Sequence, residues 1–168
     1  MSLWRMFLLG VCCLTIVEHP TVAGEIDTHD ATCHEVRAKI AVVSVAENCA
    51  SPVGLCTTGA VTGGGIVNGV FGGIALGFAP AAGLPNLVPN STLSFVADHK
   101  IETPRGTLSM RGSGVFDTAR GEYSEVDPIT GGTGIFAGAT GTLWLTGTSP
   151  DGGASFAGPL FGHVCLSR

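Results

Sequence analysis

The sequence predicts an all-β fold, an eight-stranded antiparallel β-barrel, and three observations carry that prediction. Glycine makes up 26 of 168 residues, against about 12 at average usage, in a chain poor in helix formers and rich in Thr and Val. Turn signals recur at the spacing of a sandwich or barrel, and no stretch of helical period is long enough for a crossover helix. Two cysteines, Cys33 and Cys165, sit where a closed sheet would bring its two ends together.

The chain opens on an export signal covering residues 1–24. Arg5 supplies the positive start, Met6 to Val17 the apolar stretch, and Thr21-Val-Ala-Gly24 the small residues before a cut, placed after Ala23 or Gly24. That apolar stretch falls short of the roughly 20 residues that span a bilayer, so a retained anchor is the weaker reading. Cys12 and Cys13 lack the preceding small residue that lipid attachment wants. The rest, residues 25–168, is expected to form a single secreted or periplasmic domain.

Glu35 to Val45 is the first strand, a β-branched run. Ala50 to Leu55 turns the chain between Cys49 and Cys56. Thr57 to Thr62 and Ile66 to Phe78 are glycine-punctuated strands, and Ala79 to Pro89, with three prolines, is a loop. Thr92 to Thr103 alternates most clearly, and Pro104-Arg-Gly106 turns it into Thr107 to Thr118. A short strand over Glu122 to Val126 should end at Asp127-Pro128 and Gly131-Gly132. Thr140 to Thr148 follows, then the hairpin signal Pro150-Asp-Gly-Gly153 and the last strand, Ser155 to Leu166.

Two segments admit a competing reading. Gly64 to Gly83 is apolar enough for a membrane helix, but its seven glycines make a poor helix interior and a buried strand fits better. The run from Thr130 to Gly147 resembles a phosphate-binding loop in its glycines. It has no Lys-Ser/Thr after the last glycine and no helix beyond. It ends instead in the alternation Thr142-Leu-Trp-Leu-Thr146, a strand with one dry face. Its glycines suit a bulged approach to that strand.

The cysteines argue for closure. An even number in an exported chain implies disulfides, and no pair has the spacing of a structural zinc site. In a closed antiparallel sheet with an even strand count, the first strand starts beside the end of the last. Cys33 and Cys165 occupy those places, which leaves Cys49 to pair with Cys56. With 8 basic and 13 acidic residues, the chain offers no footprint for nucleic acid.

Gly131-Gly-Thr-Gly-Ile-Phe-Ala-Gly-Ala-Thr-Gly141, preceded by Gly121-Glu-Tyr-Ser-Glu-Val126, resembles the allene oxide cyclase-like superfamily, which includes the dirigent proteins. Cys49 to Cys56 and Gly162-His-Val-Cys165 are similar to its exported bacterial branch. The resemblance covers residues 33 to 166 and implies a calycin-like barrel with an apolar lumen. Members cyclise an unsaturated lipid epoxide, steer phenoxy-radical coupling or form polyketide rings, chiefly by holding a reactive apolar molecule in one conformation. No catalytic residue carries over. The polar groups of the plant cyclases have no counterpart in the neutral, glycine-rich second and third strands.

Candidate site residues come from strand parity. One face of the third strand reads Ile66, Asn68, Val70, Gly72, Ile74, Leu76 and Phe78, and one face of the fourth reads Leu93, Phe95, Ala97, His99 and Ile101. Asn68 and His99 are the polar residues on those apolar faces. Either they mark a small-molecule site, or Asn68 bonds backbone and His99 sits at a strand end near water. Tyr123, Glu125 and Asp127 share a face, fit either for acid–base work or for a solvated rim. Asp98, Lys100 and Glu102 read as solvent-side charges. Neither His29, His34 and His163 nor any carboxylate–histidine spacing marks a metal site, no cofactor is expected, and no nucleophile elbow occurs. Asn90-Ser-Thr92 is a glycosylation sequon.

The expected function is binding of an apolar small molecule, with guided cyclisation, isomerisation or coupling, without a cofactor if it is enzymatic. The alternative is a non-catalytic carrier or a structural or surface module with a filled barrel. Association of identical subunits is compatible with both. An open lumen with Asn68 and His99 facing it would favour the first reading. Plugging by Phe71, Phe78, Phe95 and Phe116 would favour the second. His99→Ala is expected to abolish turnover or ligand retention with stability nearly unchanged.

Overall fold

A computed structural model describes residues 31–81 and 91–167; the expected export signal, His29 and Asn90 fall outside the described residues. Eight strands run β1 Thr32–Val45, β2 Cys56–Thr62, β3 Gly69–Pro80, β4 Thr92–Thr103, β5 Gly106–Asp117, β6 Glu122–Gly132, β7 Thr140–Thr148 and β8 Ser155–Leu166. Each pairs antiparallel with the next, and β8 returns to β1, closing the barrel. No described helix is long and apolar enough to cross a membrane, and the apolar Gly64–Gly83 stretch is mostly strand β3.

The closing seam runs in unbroken register from Thr32 opposite Leu166 to Val43 opposite Ser155. Cys33 faces Cys165 there and is bonded to it, and Cys49 is bonded to Cys56 across the first loop. Both pairings match the closure argument. They place the folded chain in an oxidising environment.

An eight-stranded barrel is just wide enough to be filled by side chains or to hold one small ligand. Here one half is filled. Val36, Ile101, Leu108, Leu143, Leu160 and Val164 are fully buried on the strand ends nearer the β2–β3 and β6–β7 connections. Two short 3₁₀ turns, Gly65–Val67 and Gly134–Phe136, fold inward across that end. They set Val67 and Phe136 into the core with no exposed surface.

The second turn is what the glycine run is for. Gly134 has φ 59°, a left-handed conformation open to glycine, and a Cβ there would meet the Arg105 carbonyl. The run thus tucks Phe136 under the barrel before β7 begins. In β7 the alternation holds: Leu143 and Leu145 are buried, while Trp144 lies outside and stacks on Phe161 at 6.1 Å.

Strand β1 begins at Thr32 rather than Glu35, and β3 takes in Ala79 and Pro80, read from the sequence as loop; two further boundaries bear on the site. The third strand starts at Gly69, not Ile66, because Gly65 at φ 62° turns the chain into the first 3₁₀ turn. The sixth strand does not end at Asp127-Pro128 but runs to Gly132. Its ladder to β7 continues through Asp127–Leu143 and Pro128–Thr142. Proline cannot donate to a ladder, and the β5–β6 pairing skips from Met110–Ile129 to Ser113–Val126, so no partner on β5 is lost. A register shift beside Met110 absorbs the extra residue at Thr130.

At the other end, the hairpin Pro150–Gly153 is fastened by Asp151, which accepts hydrogen bonds from the Ser155 amide at 2.8 Å and hydroxyl at 2.6 Å. The Ser155 hydroxyl bond, first among these contacts, holds the Asp151 carboxyl below its ordinary value.

Candidate functional site

The unfilled half of the lumen is a cavity of about 340 Å³. Its walls are apolar, with Ile40, Val42, Ala97, Leu145 and Phe156 among them, and Leu55 and Gly153 from the loops stand beside them. Phe71, Phe78, Phe95 and Phe116 line this space and do not plug it. Three titratable side chains, His99, Tyr123 and Glu125, also face it.

His99 faces inward because β4 alternates strictly: Ala97, His99 and Ile101 are buried, while Lys100 and Glu102 point outward and pair at 2.6 Å. Asp98 likewise faces out, held by Arg111 at 2.7 and 2.9 Å. On β6 the inward face is Tyr123, Glu125 and Asp127, each buried. A solvated rim is therefore not what this face forms. The strand continues as a barrel stave beyond Asp127, which leaves these groups on the lumen side.

β4 and β6 are not neighbours; β5 lies between them. The carboxylates reach His99 across Gly112 of β5. A Cβ at that glycine would collide with Asp127 Oδ1 and Glu125 Oε1. Gly73 of β3 gives similar room beside the His99 ring, against which Phe71 packs at 4.9 Å. His99 Nδ1–H donates to Asp127 Oδ1 at 3.0 Å, and Glu125 Oε1 lies 3.6 Å from the same nitrogen. Asp127 is 0% exposed and Glu125 5%. Asp127 Oδ2 and Glu125 Oε1 are buried without a hydrogen-bond partner.

The electrostatics follow from burial and proximity. Burial pushes the Glu125 carboxyl up to about 8; the Asp127 charge adds to this and His99 opposes it. Burial works against a charged His99. The hydrogen bond to Asp127 and the charges of Glu125, Asp127 and Asp98 outweigh it, and the net shift is upward. Tyr123 is pushed up to about 12, first by burial and then by the two carboxylates. Its hydroxyl stays protonated near neutral pH. The cluster can thus present both a hydrogen-bond donor and an acceptor to a molecule in the cavity.

Of the sequence candidates, His99, Tyr123 and Glu125 come together and Asn68 does not join them. Asn68 is exposed, and its Oδ1 accepts the Gly64 amide at 2.7 Å to close the first 3₁₀ turn. Parity fails there because Phe71, Gly73 and Ala75, not Val70 and Gly72, face inward on β3. Sequence reasoning left Asp127 at the end of its strand and missed Gly112. Its one available signal was a glycine on the inward parity of Leu108 and Met110. Removing His99 would also leave the buried Asp127 without its partner, so His99→Ala is now expected to lower stability as well, measurable by thermal denaturation. No family model, curated protein or solved structure matches this chain.

Proposed function

We propose that this protein binds one apolar small molecule in the open half of the barrel and holds it in a single folded conformation, guiding its cyclisation, isomerisation or coupling. The observation that carries this reading is an apolar cavity of about 340 Å³ whose lining includes His99, Glu125 and Tyr123. A small-molecule site has this form, apolar walls for affinity and a few placed polar groups for orientation. The molecule's single polar group would rest on Glu125 and His99, with the remainder against Phe71, Phe95, Phe116 and Phe156. Restricting a flexible chain to one reactive geometry can by itself supply a large part of a rate enhancement. The resemblance to allene oxide cyclase-like barrels supports the same class of chemistry. The signal-like residues 1–24, together with the disulfides, support secretion or a periplasmic location.

Binding can be measured with N-phenyl-1-naphthylamine, an apolar fluorophore with one N–H. Saturable enhancement at one probe per chain is expected. In Ala97→Phe, whose ring would occupy the cavity, the enhancement should fall at least tenfold, with an unchanged far-UV circular dichroism spectrum. Val115→Ala, exposed on the outer face of β5, should bind as the parent does. A parent protein that is folded and gives no saturable enhancement contradicts the reading.

A further inference from the structure

The geometry points to a divalent metal site beside the cavity, made by His99 Nδ1, Glu125 Oε1 and Asp127 Oδ1. This inference stands apart from the ligand reading, because it concerns three side chains and an ion and needs no organic molecule.

Four observations converge on it. His99, Glu125 and Asp127 each offer a ligand atom, and these atoms lie within 4.8 Å of one another. The nitrogen is 3.0 Å from the Asp127 oxygen and 3.6 Å from the Glu125 oxygen. These separations bracket the about 3.4 Å between ligand atoms around a tetrahedral ion with bonds of roughly 2.1 Å. Glu125 Oε1, in a side chain nearly all buried, has no hydrogen-bond partner and turns toward the same nitrogen. A carboxylate oxygen out of water without a donor is costly, and a cation relieves that cost. Gly112 leaves open the space that any side chain on β5 would take from the two oxygens.

Charge and chemistry indicate the kind of ion. The ion would displace the proton from His99 Nδ1, leaving the ring as its Nε2–H form, and any proton on Glu125. The resulting neutral imidazole and two carboxylates sum to two negative charges, which a divalent cation balances inside the barrel. One nitrogen and two oxygens suit a first-row ion of the zinc type. Asp127 Oδ2 is left over as a second carboxylate oxygen. Three protein ligands leave a position open, and His99 and Glu125 line the cavity, so that position faces the lumen. An ion there would polarise an oxygen of whatever occupies the cavity.

The test uses the disulfide-bonded protein, stripped with a chelator, and Zn²⁺ or Co²⁺ alone. Calorimetry with Zn²⁺ should show one ion per chain. Co²⁺ should develop the visible absorption of a low-coordinate ion, displaced by one equivalent of Zn²⁺. Asp127→Asn and Glu125→Gln should each weaken Zn²⁺ by more than the about 10–100-fold that loss of an outer supporting group costs. Gly112→Ala removes no ligand and should also abolish the Co²⁺ bands. If either carboxamide variant unfolds, the folded member of the set, judged by circular dichroism, decides. Failure of the folded parent to bind a stoichiometric ion overturns the site, as does undiminished binding in the folded variants. Neither result touches probe binding in the cavity, so the two readings fail separately.

Discussion

Phe136→Ala is expected to destabilise the barrel by about 3–5 kcal/mol, lowering the melting temperature by on the order of 10 °C in a domain of this size. The side chain has no exposed surface and is carried on a 3₁₀ turn of three residues, Gly134–Phe136. Its truncation would leave a void at the closed end, where the fixed hydrogen-bond ladders of eight strands permit little collapse. Phe136 does not line the open cavity, so naphthylamine binding should survive in the fraction that remains folded. Thermal denaturation followed by circular dichroism checks the first part and fluorescence the second. A loss below about 1 kcal/mol, the scale of an ordinary point change, would mean that the 3₁₀ turn does not seal the barrel.

Removing the seam disulfide should have the other large effect. Cys33 and Cys165 are 132 residues apart in sequence, and Cys49 and Cys56 only 7. In the chain-entropy account, the restriction placed on the unfolded chain grows with the logarithm of loop length. The seam bond is then worth about 5 kcal/mol and the loop bond about 2.5 kcal/mol. The double variant Cys33→Ser/Cys165→Ser should therefore unfold at a clearly lower urea concentration than Cys49→Ser/Cys56→Ser. Equal or reversed midpoints would mean that the β1–β8 pairing holds the barrel closed without its covalent link.

Much of the architecture was legible because it repeats locally. The alternation in β4 put Leu93, Phe95, Ala97 and His99 on one face, and the structure keeps them there. Closure was legible from cysteine placement, since Cys33 and Cys165 have one geometric relation in a barrel of even strand number. Parity failed where backbone irregularity intervenes. The turn at Gly65 takes Asn68 out of the lumen and leaves Phe71, Gly73 and Ala75 as the inward face of β3, so one uninterrupted alternation from Ile66 could not hold.

The candidate site was half legible for a similar reason. Tyr123, Glu125 and Asp127 are visible as one face of a strand. Their meeting with His99 is not, because it spans 28 residues between His99 and Asp127 and passes over an intervening strand. It depends on the missing side chain of Gly112. A glycine in a strand reads as a bulge or a close backbone approach. That it makes room for two carboxylates is a property of three strands together.

The central claim is that the open half of the barrel is a binding site for an apolar molecule. Native mass spectrometry of the protein isolated from its own host under non-denaturing conditions tests it most directly. A species heavier than the disulfide-bonded chain by one small organic molecule is expected, lost on solvent extraction and absent from Ala97→Phe. Detection of the bare chain alone, with no uptake of naphthylamine by the same folded sample, would contradict the claim.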